Sequence, residues 1–417
     1  MEVEALAKPV AELSAAQRGR YARQILLEGF GSLAQRRLLG ARVLVVGAGG
    51  LGSPVLLYLA GAGVGTIGII DDDAVDSSNL HRQVIHTLNA VGLPKVTSAA
   101  AHLRALNPDV QVIEYPQRLS ESNAREVIAE YDLVIDGTDN FLTRYVIDAA
   151  CSDLSIPEVW GSILRYAGQV SVFWTGERAY SHGVPAPGVC LRDLFPAPPP
   201  PGAVPGCGEA GVLGSLCGQV GAIMASEAIK MLTGTGEPLL GKVLVVDSLK
   251  GRTDMVDVHG AEDRPEPLRG EVLSAACASP MPGGAATPRQ AGVPGGAAAQ
   301  GANSATSSDV TVEQLAELLA ARESGQEDFT LVDVREENER AINAIPGSVH
   351  LPLGRILADP QAARGELGGG LLYLYCLAGG RSQKATDALK AAGADAVNVE
   401  GGIRAWWARI DPDMPQY

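Results

Sequence analysis

From Val43 to about Val258, runs of apolar residues alternate with stretches whose apolar positions recur at helical spacing. The runs 43–47 (VLVVG), 66–71 (TIGIID), 110–115 (VQVIEY), 132–137 (DLVIDG), 169–174 (QVSVFW) and 242–247 (KVLVVD) predict strands. Helical stretches fall between several of them, which predicts a largely parallel α/β sheet. Residues 14–40, with Arg and Gln opposite an apolar face, predict one helix ahead of the sheet. No charged side chain occurs from 43 to 70, a run long enough to cross a bilayer. Glycines at 47, 49, 50, 52, 61, 63, 65 and 68 and Pro54 break it. It therefore reads as strand, tight turn, helix and strand, buried on both faces.

The pattern changes twice. Residues 181–211 turn rich in Pro and Gly, long for a plain loop and so functional in expectation. Residues 266–308 are mostly Ala, Gly, Pro, Ser and Gln, a linker composition. A second α/β pattern follows. Residues 311–322 read as a helix, and FTLVDVR, VHLPL and LLYLYC as strands. A helix, a strand and a helix end the chain. The expected division is a first domain over 1–265, a flexible linker over 266–308 and a small domain over 309–417.

Composition narrows the classes. The 417 residues carry 33 Lys+Arg against 48 Asp+Glu, a net charge of −15. That argues against direct nucleic-acid binding through a basic surface and favours a protein partner. Cys151, Cys190, Cys207, Cys217, Cys277 and Cys376 are scattered and form no C-x-x-C pair. A disulfide framework is not expected, and a reducing cytoplasm is. The segment MEVEALAKPVAELS has no apolar signal core, and no membrane association is expected.

The first chemical motif is G-x-G-x-x-G at Gly47, Gly49 and Gly52, after a strand and opening a helix. Such glycines let backbone approach a phosphate at a helix N-terminus. Asp71 ends the next strand, placed to accept from a ribose hydroxyl. Taken alone, these features fit an NAD-type dinucleotide or a ligand-free packing turn. Three clusters shift the balance: SSNLHRQ with Asn79, Arg82 and Gln83; GLPK with Lys95; and DGTDN with Thr138, Asp139 and Asn140. Two cations and a carboxylate at the carboxyl ends of parallel strands suit phosphoryl chemistry better than hydride transfer.

With these residues in view, the first 260 or so positions resemble the ubiquitin-activating superfamily, in particular MoeB and ThiF. RGRYARQILLEGFG, VGAGGLG, IIDDD, SNLHRQ, GLPK, DGTDN and PPPPGAVPGCGEAGVLG carry the resemblance. It implies a Rossmann-like fold with a mostly parallel sheet. It also implies ATP-dependent adenylation of the C-terminal Gly-Gly carboxylate of a ubiquitin-like sulfur carrier. By motif, Gly50, Asp71, Ser78, Asn79, Leu80, His81, Arg82, Gln83 and Lys95 would contact the nucleotide. Asp139 would hold Mg²⁺ and Asn140 would line the pocket. Arg23 matches an arginine that reaches the phosphates of a partner subunit, which implies a homodimer. Cys207 matches a cysteine placed near the activated glycine. The proline run before it is expected to arch over the bound tail.

One departure bears on metal. Many relatives hold zinc with two C-x-x-C pairs. Here Cys190 is followed three residues on by Asp193, and no Cys follows Val243 where the second pair would fall. No zinc site is expected. This pattern, with RDLFPAPPPPG, looks like the MoeZ subgroup of bacterial MoeB proteins.

The second motif is LLYLYCLAGGRSQ, with Cys376 at a strand-to-helix junction and Arg381 behind it. The glycines let the loop curl its N–H groups toward the sulfur, and positive potential favours a thiolate. LVDVREENER, IPGSVHLP, this loop and GGIRAWW together resemble a rhodanese domain, in which the loop cysteine carries a persulfide. Asp333 and Arg335 look structural in that pattern.

The expectation is thus an adenylyltransferase and sulfurtransferase that uses ATP and Mg²⁺. It would turn a carrier of the MoaD or ThiS type into a thiocarboxylate, with molybdopterin as the favoured pathway. Its sulfur would come from a cysteine desulfurase or thiosulfate. A flexible linker of this length spans roughly 35–40 Å and holds Cys376 near the adenylate at an effective concentration on the order of a millimolar. The competing readings are an NAD-dependent oxidoreductase fused to a sulfur-relay module, and a non-catalytic scaffold for a ubiquitin-like protein.

Overall fold

The computed structural model describes residues 3–199, 211–264, 266–267, 269–270, 272–273 and 309–415. Its contacts divide the chain into two compact units, Met1–Ser279 and Pro280–Tyr417.

The first unit is built on an eight-stranded sheet. The strands are β1 (Arg42–Val46), β2 (Thr66–Ile70), β3 (Gln111–Tyr115), β4 (Leu133–Asp136), β5 (Glu158–Leu164), β6 (Ala167–Phe173), β7 (Lys242–Asp247) and β8 (Arg252–Asp257). Their spatial order is β3-β2-β1-β4-β5-β6-β7-β8. The first five strands pair in parallel and the last three add as antiparallel hairpins. The sheet is therefore mixed, and β5 and β8 join the six strands that the sequence predicts.

Alternation along β1 shows how the uncharged run is used. Val43 and Val45 enter one core, Leu44 and Val46 the other, and all four are buried. Helices Gly52–Ala62, Lys95–Leu106 and Gly214–Thr233 feed buried residues to the first core, and Ala124–Ile128 and Phe141–Leu154 to the second. Strands covered on both faces need apolar residues at successive positions. No helix among the described residues is long and apolar enough to cross a membrane.

The helix expected over 14–40 is three pieces: Ala15–Arg20, Ala22–Ile25 and Gly31–Gly40. Tyr21 has left helical geometry, and Gly29 and Gly31 have φ of 78° and 65°, which a continuous helix does not admit. After β8 the chain stays on the first unit. Arg264 pairs with Asp193 at 2.7 Å, Arg269 with Asp153 at 2.8 Å, and Leu273 is buried in the second core. Of the 266–308 segment, residues 266, 267, 269, 270, 272 and 273 are described and the others lie outside the described residues.

The second unit has a four-stranded parallel sheet of order β10-β9-β11-β12. These strands are β9 (Phe329–Asp333), β10 (Val349–His350), β11 (Leu371–Tyr375) and β12 (Ala396–Asn398). Helices Val312–Glu323 and Gly402–Arg409 share one core, and helix Gly380–Ala391 sends Ala385 and Leu389 into the other. Asp333 and Arg335 are fully buried and paired at 2.6 Å, with Tyr375 Oη donating to Asp333 at 2.9 Å. Their place is structural.

Candidate active sites

A cleft of about 860 Å³ opens at the carboxyl ends of the parallel strands. The strand order reverses beside β1, and open α/β sheets bind ligands at that point. The glycine turn after β1 forms its floor. Gly47 has φ of 90°, and a Cβ at Gly52 would sit 1.8 Å from the Gly47 carbonyl oxygen, so both positions need glycine. Gly49 and Gly50 line the cleft, and a Cβ on Gly50 would meet Cys217 Sγ at 3.0 Å.

Asp71 leaves β2 and lines the cleft. Its carboxylate accepts from Ala48 N and Asp73 N, both at 2.8 Å, which ties the acid to the glycine turn. Burial raises its carboxyl above the ordinary range, against the opposing pull of Lys95 and those donors. Lys95 is buried in the wall and donates to Asp73 at 2.7 Å. Gln83 is also buried, and its Oε1 has no hydrogen-bond partner among the described residues. Arg82 lines the cleft and is steered by Asn79 Oδ1 at 2.6 Å. Burial and then Arg82 lower the His81 pKa, favouring the neutral ring whose Nε2 accepts from Arg82 at 2.9 Å.

The predicted residues thus divide. Gly47, Gly49, Gly50, Asp71, Arg82, Gln83, Lys95, Thr138, Asp139 and Asn140 line one cleft. Ser78, Asn79, Leu80 and His81 do not line it. Asn79 and His81 hold Arg82, and Ser78 is tied to Asp76 at 2.6 Å. Arg23 lies in helix Ala22–Ile25, exposed and outside the cleft lining. Cys207 and the proline run from 200 onward lie outside the described residues.

Asp139 follows β4 on a loop that is held from beneath. Asp136, fully buried, accepts from Thr138 N at 2.9 Å and Thr138 Oγ1 at 2.6 Å. Arg144 Nη2 donates to the Thr138 carbonyl at 2.8 Å. Asn140 caps helix Phe141–Leu154 by accepting from Thr143 N at 2.9 Å. The peptide before Asp139 is gripped at its N–H, hydroxyl and carbonyl. Asp139 itself is exposed on the cleft wall, an oxygen ligand of the hard type that Mg²⁺ takes. Asp136, Arg144, Trp160 and Arg118 also shape this site and were not singled out from sequence. The one legible signal was Arg144, one helical turn beyond the Asn140 cap.

Cys190 is the residue of the zinc comparison. Burial first, then Asp148, pushes its thiol up to about 12, so in the metal-free chain Cys190 is a neutral buried thiol. Asp193 accepts from Cys190 N at 2.9 Å and from Arg264 at 2.7 Å. An ion pair occupies the place where a second thiol would be needed.

In the second unit Cys376 directly follows β11 and is buried. Its Sγ accepts from Gly379 N at 3.1 Å and lies 3.4 Å from Ser382 Oγ. Gly379 has φ of 98°, which turns the loop under the sulfur before helix Gly380–Ala391. Arg381 forks onto Glu339, at 2.7 and 2.6 Å. Its charge is shared with that carboxylate, a pairing absent from the sequence expectation.

Residues 21–267 match the ThiF family, and residues 312–409 match the Rhodanese-like domain. The probable adenylyltransferase/sulfurtransferase MoeZ of Mycobacterium tuberculosis is 42% identical over 99% of this chain and 98% of its own length. A sulfur carrier protein adenylyltransferase of Thermus thermophilus is 52% identical over 55% of this chain and 83% of its own. Among solved structures, MccB of E. coli superposes with a TM-score of 0.51 at 19% identity, over 61% of this chain and 73% of that one, a likeness of fold. The two sites, each on its own unit, and the full-length MoeZ relative agree: the chain belongs to the ThiF family as an adenylyltransferase and sulfurtransferase with a C-terminal rhodanese-like domain.

Proposed function

We propose that the chain activates the C-terminal Gly-Gly carboxylate of a ubiquitin-like sulfur carrier with ATP, then exchanges one oxygen for sulfur. One observation carries the first half. A single cleft brings together a glycine turn, Lys95, Arg82, the unpartnered Gln83 Oε1 and the exposed Asp139 carboxylate. An NAD site needs the turn and Asp71 but not two cations and a second acid.

The tail carboxylate attacks the α-phosphate of ATP and pyrophosphate leaves. Lys95 and Arg82 offset the charge that gathers on the phosphate oxygens. Asp71 receives the ribose, and the glycine turn presents its N–H groups to phosphate. Mg²⁺, held by Asp139, would supply further neutralisation of the phosphates. Arg23, exposed and away from its own cleft, acts on the cleft of a second copy in a homodimer. Ser78, Asn79 and His81 serve by aiming Arg82, and Leu80 lies between them in the same segment.

In the second half a persulfide on Cys376 attacks the acyl carbon and AMP leaves, giving an acyl disulfide. Cys207 is the second thiol. Its thiolate attacks Cys376, releases the thiocarboxylate and leaves a disulfide that an external thiol reduces. Gly379 N, beside the sulfur, offsets its negative charge. Arg381 orders this loop through Glu339. The units 1–265 and 309–417 are joined by the 266–308 tether in a cytoplasmic enzyme, and molybdopterin is the pathway we favour. The Thermus thermophilus relative, a sulfur carrier protein adenylyltransferase, supports a sulfur carrier as the substrate.

ATP–pyrophosphate exchange against a panel of Gly-Gly-ending carriers tests it. Exchange that depends on one or more carriers is expected. Exchange with none, together with tight NAD binding, would refute the adenylation reading.

A further inference from the structure

Behind Cys376 runs a line of polar side chains that the sulfur chemistry described above does not use. Ser382 is fully buried, with its Oγ 3.4 Å from Cys376 Sγ and 2.7 Å from Asn398 Oδ1. Asn398, at the end of β12, donates through Nδ2 to Asp309 Oδ2 at 3.1 Å. Asp309 is exposed and is the first residue described after the 274–308 stretch. Its segment is stitched to β12 by Val310 N to Asn398 O at 3.0 Å and Glu400 N to Val310 O at 2.8 Å.

A hydroxyl has one hydrogen to give, and here three acceptors compete for it: Asn398 Oδ1, the Gly379 carbonyl at 3.0 Å and Cys376 Sγ. A neutral thiol is a weak acceptor, so the amide oxygen, nearer by 0.7 Å, takes the bond. An anionic sulfur is a strong acceptor and draws the same hydrogen. The orientation of the Asn398 amide is fixed from behind. With Nδ2 committed to the Asp309 carboxylate, Oδ1 must face Ser382. Were Asp309 an amide, Asn398 could turn over and donate to Ser382 Oγ, leaving the Gly379 carbonyl and the sulfur as acceptors, of which an anionic sulfur is the stronger.

We propose that Ser382 is a catalytic hydrogen-bond donor to the Cys376 sulfur anion, and that Asn398, oriented by Asp309, competes for its proton. The inference rests on reading Cys376 as the sulfur-bearing residue. The hydroxyl gives the anion a donor beyond Gly379 N, and no bond is made or broken in doing so. Asp309 and Asn398 are positioning residues, acting on the sulfur only through Ser382. The carboxylate where the second unit's described chain begins thereby governs whether this hydroxyl is available to the sulfur anion.

The test is iodoacetamide alkylation of Cys376 in the full-length chain at pH 7, followed by mass spectrometry of the Cys376 peptide. Ser382→Ala is expected to slow alkylation about tenfold, the size of one hydrogen bond to a charged group. Ser382→Thr keeps the hydroxyl and should stay within about threefold of the parent. Asp309→Asn, at an exposed position, should speed alkylation about threefold, a sign that damage to the fold would not produce. An unchanged or slower rate in Asp309→Asn overturns the competition, and an unchanged rate in Ser382→Ala overturns the donor. Should Ser382→Ala fail to fold, Asp309→Asn alone decides. Thiosulfate-to-cyanide sulfur transfer separates the underlying reading. If Cys376→Ala retains it, the sulfur assignment fails. If that activity is lost while Ser382→Ala matches the parent in both assays, only this inference fails.

Discussion

Lys95 is buried, and its ammonium lies 2.7 Å from Asp73, whose side chain is 63% exposed. A buried cation needs a counter-charge, and the one it has stands on the rim of the nucleotide cleft. A polyphosphate entering the cleft competes with Asp73 for that cation. Lys95→Met should lower kcat/KM for pyrophosphate exchange by about 10²–10³. Asp73→Asn removes the competitor and should lower KM for ATP by about two- to fivefold. A raised KM in Asp73→Asn would show that the acid serves the nucleotide rather than opposing it.

The grip on Thr138 predicts a mutation outside the reacting groups. Arg144 donates to the Thr138 carbonyl, and its Nε lies 4.0 Å from Asp136 Oδ2, both atoms buried without a bonded partner. Removing the cation strands a buried carboxylate. Arg144→Ala should lose about 3 kcal/mol in urea unfolding, and exchange should fall more than tenfold as Asp139 loses its fixed peptide. Parent-like exchange in a folded variant would separate Asp139 from its support.

Glu158, fully buried at the start of β5 beside β4, predicts a pH dependence of stability. Burial first, then Asp136 and Asp148, holds its carboxyl well above the ordinary range. The folded chain keeps this proton where the unfolded chain releases it. The stabilisation is complete below the ordinary carboxylate range and is lost as pH rises through the elevated value. Glu158→Gln should flatten the fall in unfolding free energy between pH 5 and pH 8, measured by urea titration. An unchanged fall in the variant would mean that the native Glu158 is ionised.

The Arg264–Asp193 pair predicts the metal content. Asp193 is 1% exposed and holds Arg264, Ala261 N and Cys190 N together. Atomic absorption should find no stoichiometric zinc in the purified chain. Arg264→Ala should lower the melting temperature by several degrees, since it leaves a buried carboxylate unpaired. One equivalent of zinc per chain would contradict the reading of Asp193 as an ion-pair partner.

The parts of this molecule that sequence makes legible are those fixed by local pattern. Val43 to Val46 are apolar at every position because both faces of β1 are covered. Gly47 and Gly52 are spaced by the turn they must make, and Cys376 sits where a strand meets a glycine loop. Two strands escaped for opposite reasons. β5 carries Glu158, a buried acid, and Gly161, against which Met224 packs. β8 is an edge strand with mostly exposed residues, so its alternation has no core to report. The supporting contacts were invisible because they join distant positions. Arg381 meets Glu339 from 42 residues away, Arg264 meets Asp193 from 71, and Asn398 meets Asp309 from 89. Motif spacing finds the reacting group, whereas only the fold shows what holds it.

The central claim, that a peptide carboxylate is adenylated and then sulfurated by one chain, has a direct measurement. A Gly-Gly-ending carrier is incubated with the chain, ATP, Mg²⁺ and either thiosulfate or a cysteine desulfurase with cysteine, and its intact mass is recorded. The account predicts the mass gain of one oxygen replaced by sulfur, lost in both Asp139→Ala and Cys376→Ala, with pyrophosphate exchange surviving only in Cys376→Ala. A carrier mass that never changes while AMP and pyrophosphate accumulate, across every carrier tried, would contradict it.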